Sequence, residues 1–94
     1  MWIVYLIQNS ISFERYIGFT SDLRERIKEH NSGRNVSTRR IRGKWVLIYA
    51  EAYKSEIDAR RREQSLKSHG SAKHELFKRL SNSMLEHKTG AGRS

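Results

Sequence analysis

Trp2-Ile3-Val4-Tyr5-Leu6-Ile7, then Gln8-Asn9-Ser10, then Phe13-Glu14-Arg15-Tyr16-Ile17-Gly18-Phe19 is the stretch that decides the fold of this 94-residue chain. The first run is continuously apolar and β-branched, the pattern of a strand buried on both faces. The polar triplet punctuates it, and Phe13 to Phe19 reads as a second strand. So short a connection predicts an antiparallel hairpin. In that hairpin Tyr5 and Tyr16 can share one face of neighbouring strands. Gly18 removes a side chain where a backbone or a ligand must come close.

Beyond the hairpin, Thr20 or Ser21 is placed to cap a helix, with Asp22 in its first turn and Asn31-Ser32-Gly33 ending it. On a helical projection Leu23 and Ile27 form a narrow apolar stripe towards the sheet. Arg26 and His30 flank that stripe together as an i, i+4 pair, while Glu25 and Glu29 face outward. Lys44 to Tyr53 reads as a third strand. Ser55, with Asp58 three residues on, opens a second helix that runs to about Lys67, with Gly70 closing it. In it Ala59, Glu63 and Leu66 recur at i, i+4, i+7, and Arg60, Arg61, Arg62 and Lys67 surround the carboxylate. A last amphipathic helix, near Ala72 to Glu86, carries Leu76, Phe77, Leu80 and Met84 on one stripe. The order β-β-α-β-α-α predicts an α+β fold, a small three-stranded antiparallel sheet flanked by helices. One domain is expected over residues 1–87, with its core in 2–68 and a flexible tail over 88–94.

Composition narrows the function. Nineteen Lys and Arg against ten Asp and Glu give a net charge of +9, the electrostatic footprint of a polyanion binder. The densest basic run holds Arg34, Arg39, Arg40, Arg42 and Lys44 with no acid among them, which makes it the candidate nucleic-acid contact. The competing reading of that run is a solvated basic loop. The chain has no cysteine, which excludes thiol chemistry and cysteine zinc sites and fits a reducing cytoplasm. No apolar run reaches the ~20 residues of a bilayer span, and no signal peptide or membrane association is expected. No Gly-rich phosphate loop, zinc-protease helix motif or nucleophile elbow is present.

Tyr5, Tyr16-Ile17-Gly18, Arg26, His30 and Glu63, in that order, resemble the catalytic set of the GIY-YIG endonuclease family, and the chain resembles one of its small single-domain members over Trp2 to Ser68. The first tripeptide here is Ile3-Val4-Tyr5 without the family's glycine, and Phe19 stands where some members carry lysine. A downstream asparagine seen in some members has no clear counterpart, since Glu75 lies in that region. The resemblance implies metal-dependent hydrolysis of phosphodiester bonds in DNA, leaving 5′-phosphate and 3′-hydroxyl ends. It also implies recognition by structure rather than sequence, in the setting of DNA repair or recombination.

The residue chemistry supports each role. Glu63 would hold a single Mg²⁺ or Mn²⁺, hard ions content with one or two carboxylates and several waters. Arg26 offers a planar fork to the nonbridging oxygens as charge develops. Tyr5, Tyr16 or His30 could accept the proton of the attacking water. A free phenol with pKa about 10 is a weak base, but Arg26 and a metal would lower it. We favour Tyr5 as the acceptor, with Tyr16 and His30 orienting the water. The competing readings are aromatic core packing for the tyrosines, a solvated helix flank for Arg26 and His30, and a surface salt-bridge lattice for Glu63. The alternative function is a non-catalytic module that binds DNA or RNA on the same fold, and a protein partner supplying specificity fits either reading.

Overall fold

A computed structural model describes residues 1–68 and 70–85. The expected tail, 88–94, and the expected helix end at Glu86 lie outside the described residues. The elements are β1 (Trp2–Asn9), β2 (Arg15–Thr20), α1 (Leu23–Ser32), β3 (Trp45–Tyr53), α2 (Glu56–Ser68) and α3 (Gly70–Arg79), in the expected order. The sheet runs β2-β1-β3, antiparallel throughout.

β1 is the central strand, and every residue from Val4 to Asn9 is buried. That is why its sequence is continuously apolar rather than alternating. The period of two then sorts its side chains onto two cores. Val4 and Leu6, with Ile17, face Ala59 and Leu66 of α2 and Leu76 of α3. Tyr5 and Ile7 face Trp45, with Tyr16, Leu23, Ile27 and Ile41 packed around them. Leu23 and Ile27 are the stripe expected on α1, so α1 covers one face of the sheet and α2 with α3 the other.

The β1–β3 register shifts between Leu6 and Ile7, which pair with Tyr49 and Leu47 and leave Ile48 as the extra residue of a bulge. Ile48 and Tyr49 both pack against the α2–α3 core as a result.

Local boundaries differ from the sequence reading for identifiable reasons. Asp22, not Thr20 or Ser21, caps α1: its Oδ1 accepts from the Glu25 amide at 3.1 Å. Thr20 Oγ1 is instead engaged with Asp22, accepting from its amide at 3.1 Å. Gly33 ends α1 as expected, at φ 79°, in the left-handed region that glycine occupies without steric cost. β2 starts at Arg15 because Phe13 sits at φ 63° in the turn. β3 starts one residue later than expected, at Trp45. Ser55 does cap α2, its Oγ accepting from Ile57 and Asp58 amides at 3.2 and 3.5 Å. Gly70 begins α3 rather than closing α2, and α3 ends at Arg79, followed by turns in which Leu80 and Met84 still reach the core.

Candidate active site

Tyr5 and Gly18 are direct partners across the β1–β2 pair, and Tyr16 stands opposite Ile7, two residues along. Tyr5 and Tyr16 therefore lie diagonally on one face, with ring centroids 6.4 Å apart. A Cβ on Gly18 would stand 2.5 Å from the Tyr5 hydroxyl. The Tyr5 phenol thus crosses β2 through the space that glycine leaves, towards the open edge of the sheet. The sequence predicted an approach by a backbone or a ligand; the group that takes the space is the protein's own Tyr5 side chain.

α1 brings His30 to the same point. His30 is only 3% exposed, and its ring stacks edge-on against Tyr5 and Tyr16 at 5.8 and 5.0 Å. Its Nε2 lies 3.0 Å from the Tyr5 hydroxyl and its Nδ1 lies 2.7 Å from Thr38 Oγ1. The expected helix flank is in fact a buried, doubly hydrogen-bonded imidazole. Burial, and then the Arg26 charge, push the His30 pKa below its ordinary value, against a smaller opposing effect of Glu29. Burial likewise pushes the Tyr5 pKa up, with help from Tyr16, and the charge and hydrogen bond of Arg26 only partly offset it. Both groups are neutral at pH 7. The expected lowering of the phenol by Arg26 is present but is outweighed by desolvation.

Arg26 sits one turn before His30, partly buried, with its Nε paired to Glu29 Oε1 at 3.1 Å. Glu63 reaches the edge from α2. Its side chain is 15% exposed, and it is paired with Lys67 Nζ at 3.1 Å. Lys67 Nζ also stands 5.2 Å from the centroid of the Tyr16 ring, and the Glu63 charge contributes to raising Tyr5. All five singled-out side chains, with Gly18, therefore gather around one end of β2.

The basic run behaves less uniformly. Arg34 is tied to Glu25 at 3.3 Å, whereas Arg39, Arg40, Arg42 and Lys44 are exposed and form no ion pair among the described residues. The segment is anchored rather than a loose loop. Asn31 clasps the backbone of Trp45, accepting from its amide at 2.7 Å and donating to its carbonyl at 3.2 Å. Ile41 packs into the second core, and Thr38, 1% exposed, plugs the run onto His30. Thr38 escaped the sequence reading. A threonine among arginines carries no local signal when its partner is brought to it by tertiary folding.

Among the described residues no three His, Cys, Asp or Glu side chains form a ready metal cage. A lone, largely buried carboxylate whose present partner is a displaceable lysine does suit one hard divalent ion that keeps most of its waters. Glu63 would hold it. No helix among the described residues is long and apolar enough to cross a membrane.

A fold of this order, with two tyrosines, an imidazole and a guanidinium at one strand edge and a carboxylate beside them, has the arrangement of a GIY-YIG catalytic domain. The chain belongs to the GIY-YIG catalytic domain family, whose description matches residues 1–77. Within that class it is similar to the UPF0213 proteins. It is 34% identical over 62 residues to the UPF0213 protein YazA of Bacillus subtilis, covering 66% of this chain and 63% of that one, just under two thirds of the relative's length. It is 34% identical to the UPF0213 protein SH2523 of Staphylococcus haemolyticus, covering 72% and 78%. The solution NMR structure of the UPF0213 protein BH0048 from Bacillus halodurans superimposes with a TM-score of 0.52 at 32% identity, covering 85% of each chain.

Proposed function

We propose that this domain is a single-metal DNA endonuclease that hydrolyses a phosphodiester held against the open edge of β2. One observation carries the reading: Tyr5, laid across Gly18, is hydrogen-bonded to a buried neutral imidazole at the edge where Arg26 and Glu63 also arrive. DNA, rather than RNA, is the substrate implied by the family, and repair of structured DNA is the setting we assign to it.

The residues divide the work as follows. Arg26 donates to the nonbridging oxygens of the scissile phosphate, most strongly as negative charge develops. Tyr16 orients the attacking water. Tyr5 accepts the water's proton while its own proton passes to His30 Nε2, and Thr38 Oγ1 accepts from His30 Nδ1–H in the tautomer this requires. The imidazole thus supplies the basicity that a desolvated phenol lacks. His30 acts through Tyr5 instead of touching the water. The water oxygen bonds to phosphorus, the 3′-oxygen leaves and takes a proton from solvent, and the ends are a 5′-phosphate and a 3′-hydroxyl. A divalent ion on Glu63 would supply charge stabilisation for the leaving oxygen and phosphoryl group. Arg39, Arg40, Arg42 and Lys44 hold the backbone of the duplex.

The Lys67–Glu63 ion pair favours one other reading, a binding surface in which the carboxylate is merely neutralised. Cleavage of supercoiled plasmid with Mg²⁺, Mn²⁺ or EDTA separates the two. Nicking that requires metal, and that Glu63→Gln abolishes while DNA binding is kept or strengthened, is the expected result. Cutting that survives EDTA, or Glu63→Gln at the wild-type rate, removes the metal mechanism. DNA binding with no cutting under any metal returns the domain to a binding module.

A further inference from the structure

A cleft of about 410 Å³ opens beside the outer edge of β2, between that strand and the α2–α3 corner. Among the described residues β2 pairs only with β1, so the cleft borders unpaired strand edge. Three cations, Arg15, Lys67 and Lys73, line it against one acid, Glu14. Lys67 is held by Glu63, but Arg15 and Lys73 form no ion pair among the described residues. The cleft also offers aromatic faces that carry cations. The Arg15 guanidinium lies 4.9 Å from the centroid of the Phe77 ring, and Lys67 stands 5.2 Å over Tyr16.

Phosphate contacts alone need no aromatic platform, and the base faces of an intact duplex are already stacked on one another. A concave site that combines an arginine on an aromatic ring with a further cation outside any ion pair, Lys73, is complementary to a nucleotide whose base is unpaired. Its size suits one such nucleotide, within the range of roughly 300–1,000 Å³ typical of ligand sites. Tyr16 and Lys67 line the cleft and also belong to the candidate active site, so whatever occupies it lies next to the bond being cut.

We infer that this cleft holds an unpaired nucleotide of the DNA strand adjacent to the scissile phosphate, directing the domain to flaps, gaps and single-strand junctions. The inference rests on the nuclease reading for its setting but is tested without cleavage. Glu63→Gln protein is titrated with a flap DNA carrying 2-aminopurine at the first unpaired position, and with an intact duplex of the same sequence. The expected result is a fluorescence change on flap binding and about tenfold tighter binding of the flap than of the duplex. The pair Arg15→Gln and Lys73→Gln, and separately Phe77→Leu, should remove that preference and leave duplex affinity unchanged.

An equal drop in affinity for both probes would reduce Arg15 and Lys73 to general phosphate contacts and overturn the inference, as would an unresponsive 2-aminopurine. Phe77 packs against the core, so melting of each variant is followed alongside. If Phe77→Leu does not fold, the double cation variant and the probe signal decide. A wild-type protein that prefers flaps but cuts nothing would refute catalysis and keep the cleft. One that cuts flap and duplex alike, with no binding preference, would refute the cleft and keep catalysis.

Discussion

The two faces of the sheet each carry a pair of tyrosines with a cation, and they differ in where a carboxylate stands. On the α2 face, Glu51 accepts from the Tyr49 hydroxyl at 2.7 Å, from the Tyr53 hydroxyl at 3.1 Å and from Arg62 Nε. Burial alone would raise the Glu51 pKa, but the hydrogen bonds from Tyr49 and Arg62 and the guanidinium's charge hold it below the usual carboxylate value. Every donor in that knot ends on one acid, and it pins α2 to β3. On the α1 face, Tyr5 and Tyr16 have no such centre. Tyr5 meets a neutral imidazole, Arg26 is half-engaged by Glu29, and the nearby acid, Glu63, is held off by Lys67. The first arrangement is self-contained. The second spreads its contacts over several partners. On the proposed reading, the same residue types serve structure on one face and chemistry on the other.

The largest expected effect breaks this comparison most directly. Arg26→Ala and Tyr5→Phe should each slow single-turnover cleavage by about 10²–10³, the range for removing one preorganised donor or proton-transfer group. Arg26→Ala should melt close to wild type, because Arg26 is partly exposed. Tyr5→Phe keeps the ring but leaves the buried His30 Nε2 without its partner, at about 1–3 kcal/mol of stability, so its rate is compared where the variant is folded. Glu51→Gln should do the reverse. It leaves a partly buried guanidinium without its charge partner and weakens two phenol hydrogen bonds, at about 1–3 kcal/mol of stability, with cleavage unaffected where the protein is folded. A Glu51→Gln variant that melts normally but cuts poorly would show that the two faces had been assigned the wrong way round.

Next in size is the salt dependence of binding. Neutralising Arg39, Arg40 and Arg42 together should flatten the fall of log K with log[salt] by roughly 0.9 for each phosphate that no longer meets a cation, on every duplex sequence alike. Arg34→Gln should change the slope little, because Glu25 already neutralises it. If Arg34 alone carries the slope, the anchored loop presents its charges differently from the arrangement described.

How much of the fold and site was readable in the chain follows from the range of each interaction. The strands, their pairing and the shared face of Tyr5 and Tyr16 follow from a period of two and a short connection. The partnership of Tyr5 with Gly18 was not readable, because it depends on the register, which the loop between the strands sets. The cap of α1 was ambiguous because Thr20, Ser21 and Asp22 are all capping residues, and only the geometry puts Asp22 opposite the Glu25 amide. The Glu51 knot did leave a trace, since Tyr49, Glu51 and Tyr53 alternate on one face, but its Arg62 comes from another element. Thr38 left none. Its hydrogen bond with His30 exists only because the basic loop folds back over α1.

Thr38→Val sharpens the comparison at a smaller scale. Removing the hydroxyl from His30 Nδ1 frees the choice of tautomer, and cleavage should slow by about tenfold, at the low end for a group that orients another. Thr38→Ser should restore most of the rate, and the acid limb of the rate–pH profile should move with Val and not with Ser. The same slowing with Val and Ser, and no movement of the profile, would leave Thr38 as packing alone.

The smallest effect is on stability, and it follows from the sign of the His30 shift. His30 has a folded pKa below its unfolded value of about 6.5, because burial and Arg26 disfavour the charged ring. The unfolded chain therefore binds this proton more readily than the folded one. The stabilisation from keeping His30 neutral is fully present above about pH 6.5 and is lost as pH falls through the folded pKa. Thermal melts from pH 7.5 downward should show the melting temperature of wild type declining in that window, with a shallower decline for His30→Gln. The Glu51 knot works in the opposite chemical direction but with the same sign: its lowered carboxylate pKa loses its stabilisation only at still lower pH, below the ordinary Glu range. Two separated steps, the upper one abolished by His30→Gln and the lower one by Glu51→Gln, would assign each to its own face of the sheet. A single step removed by neither variant would mean that His30 is solvated in the folded protein and that Tyr5 has no neutral base behind it.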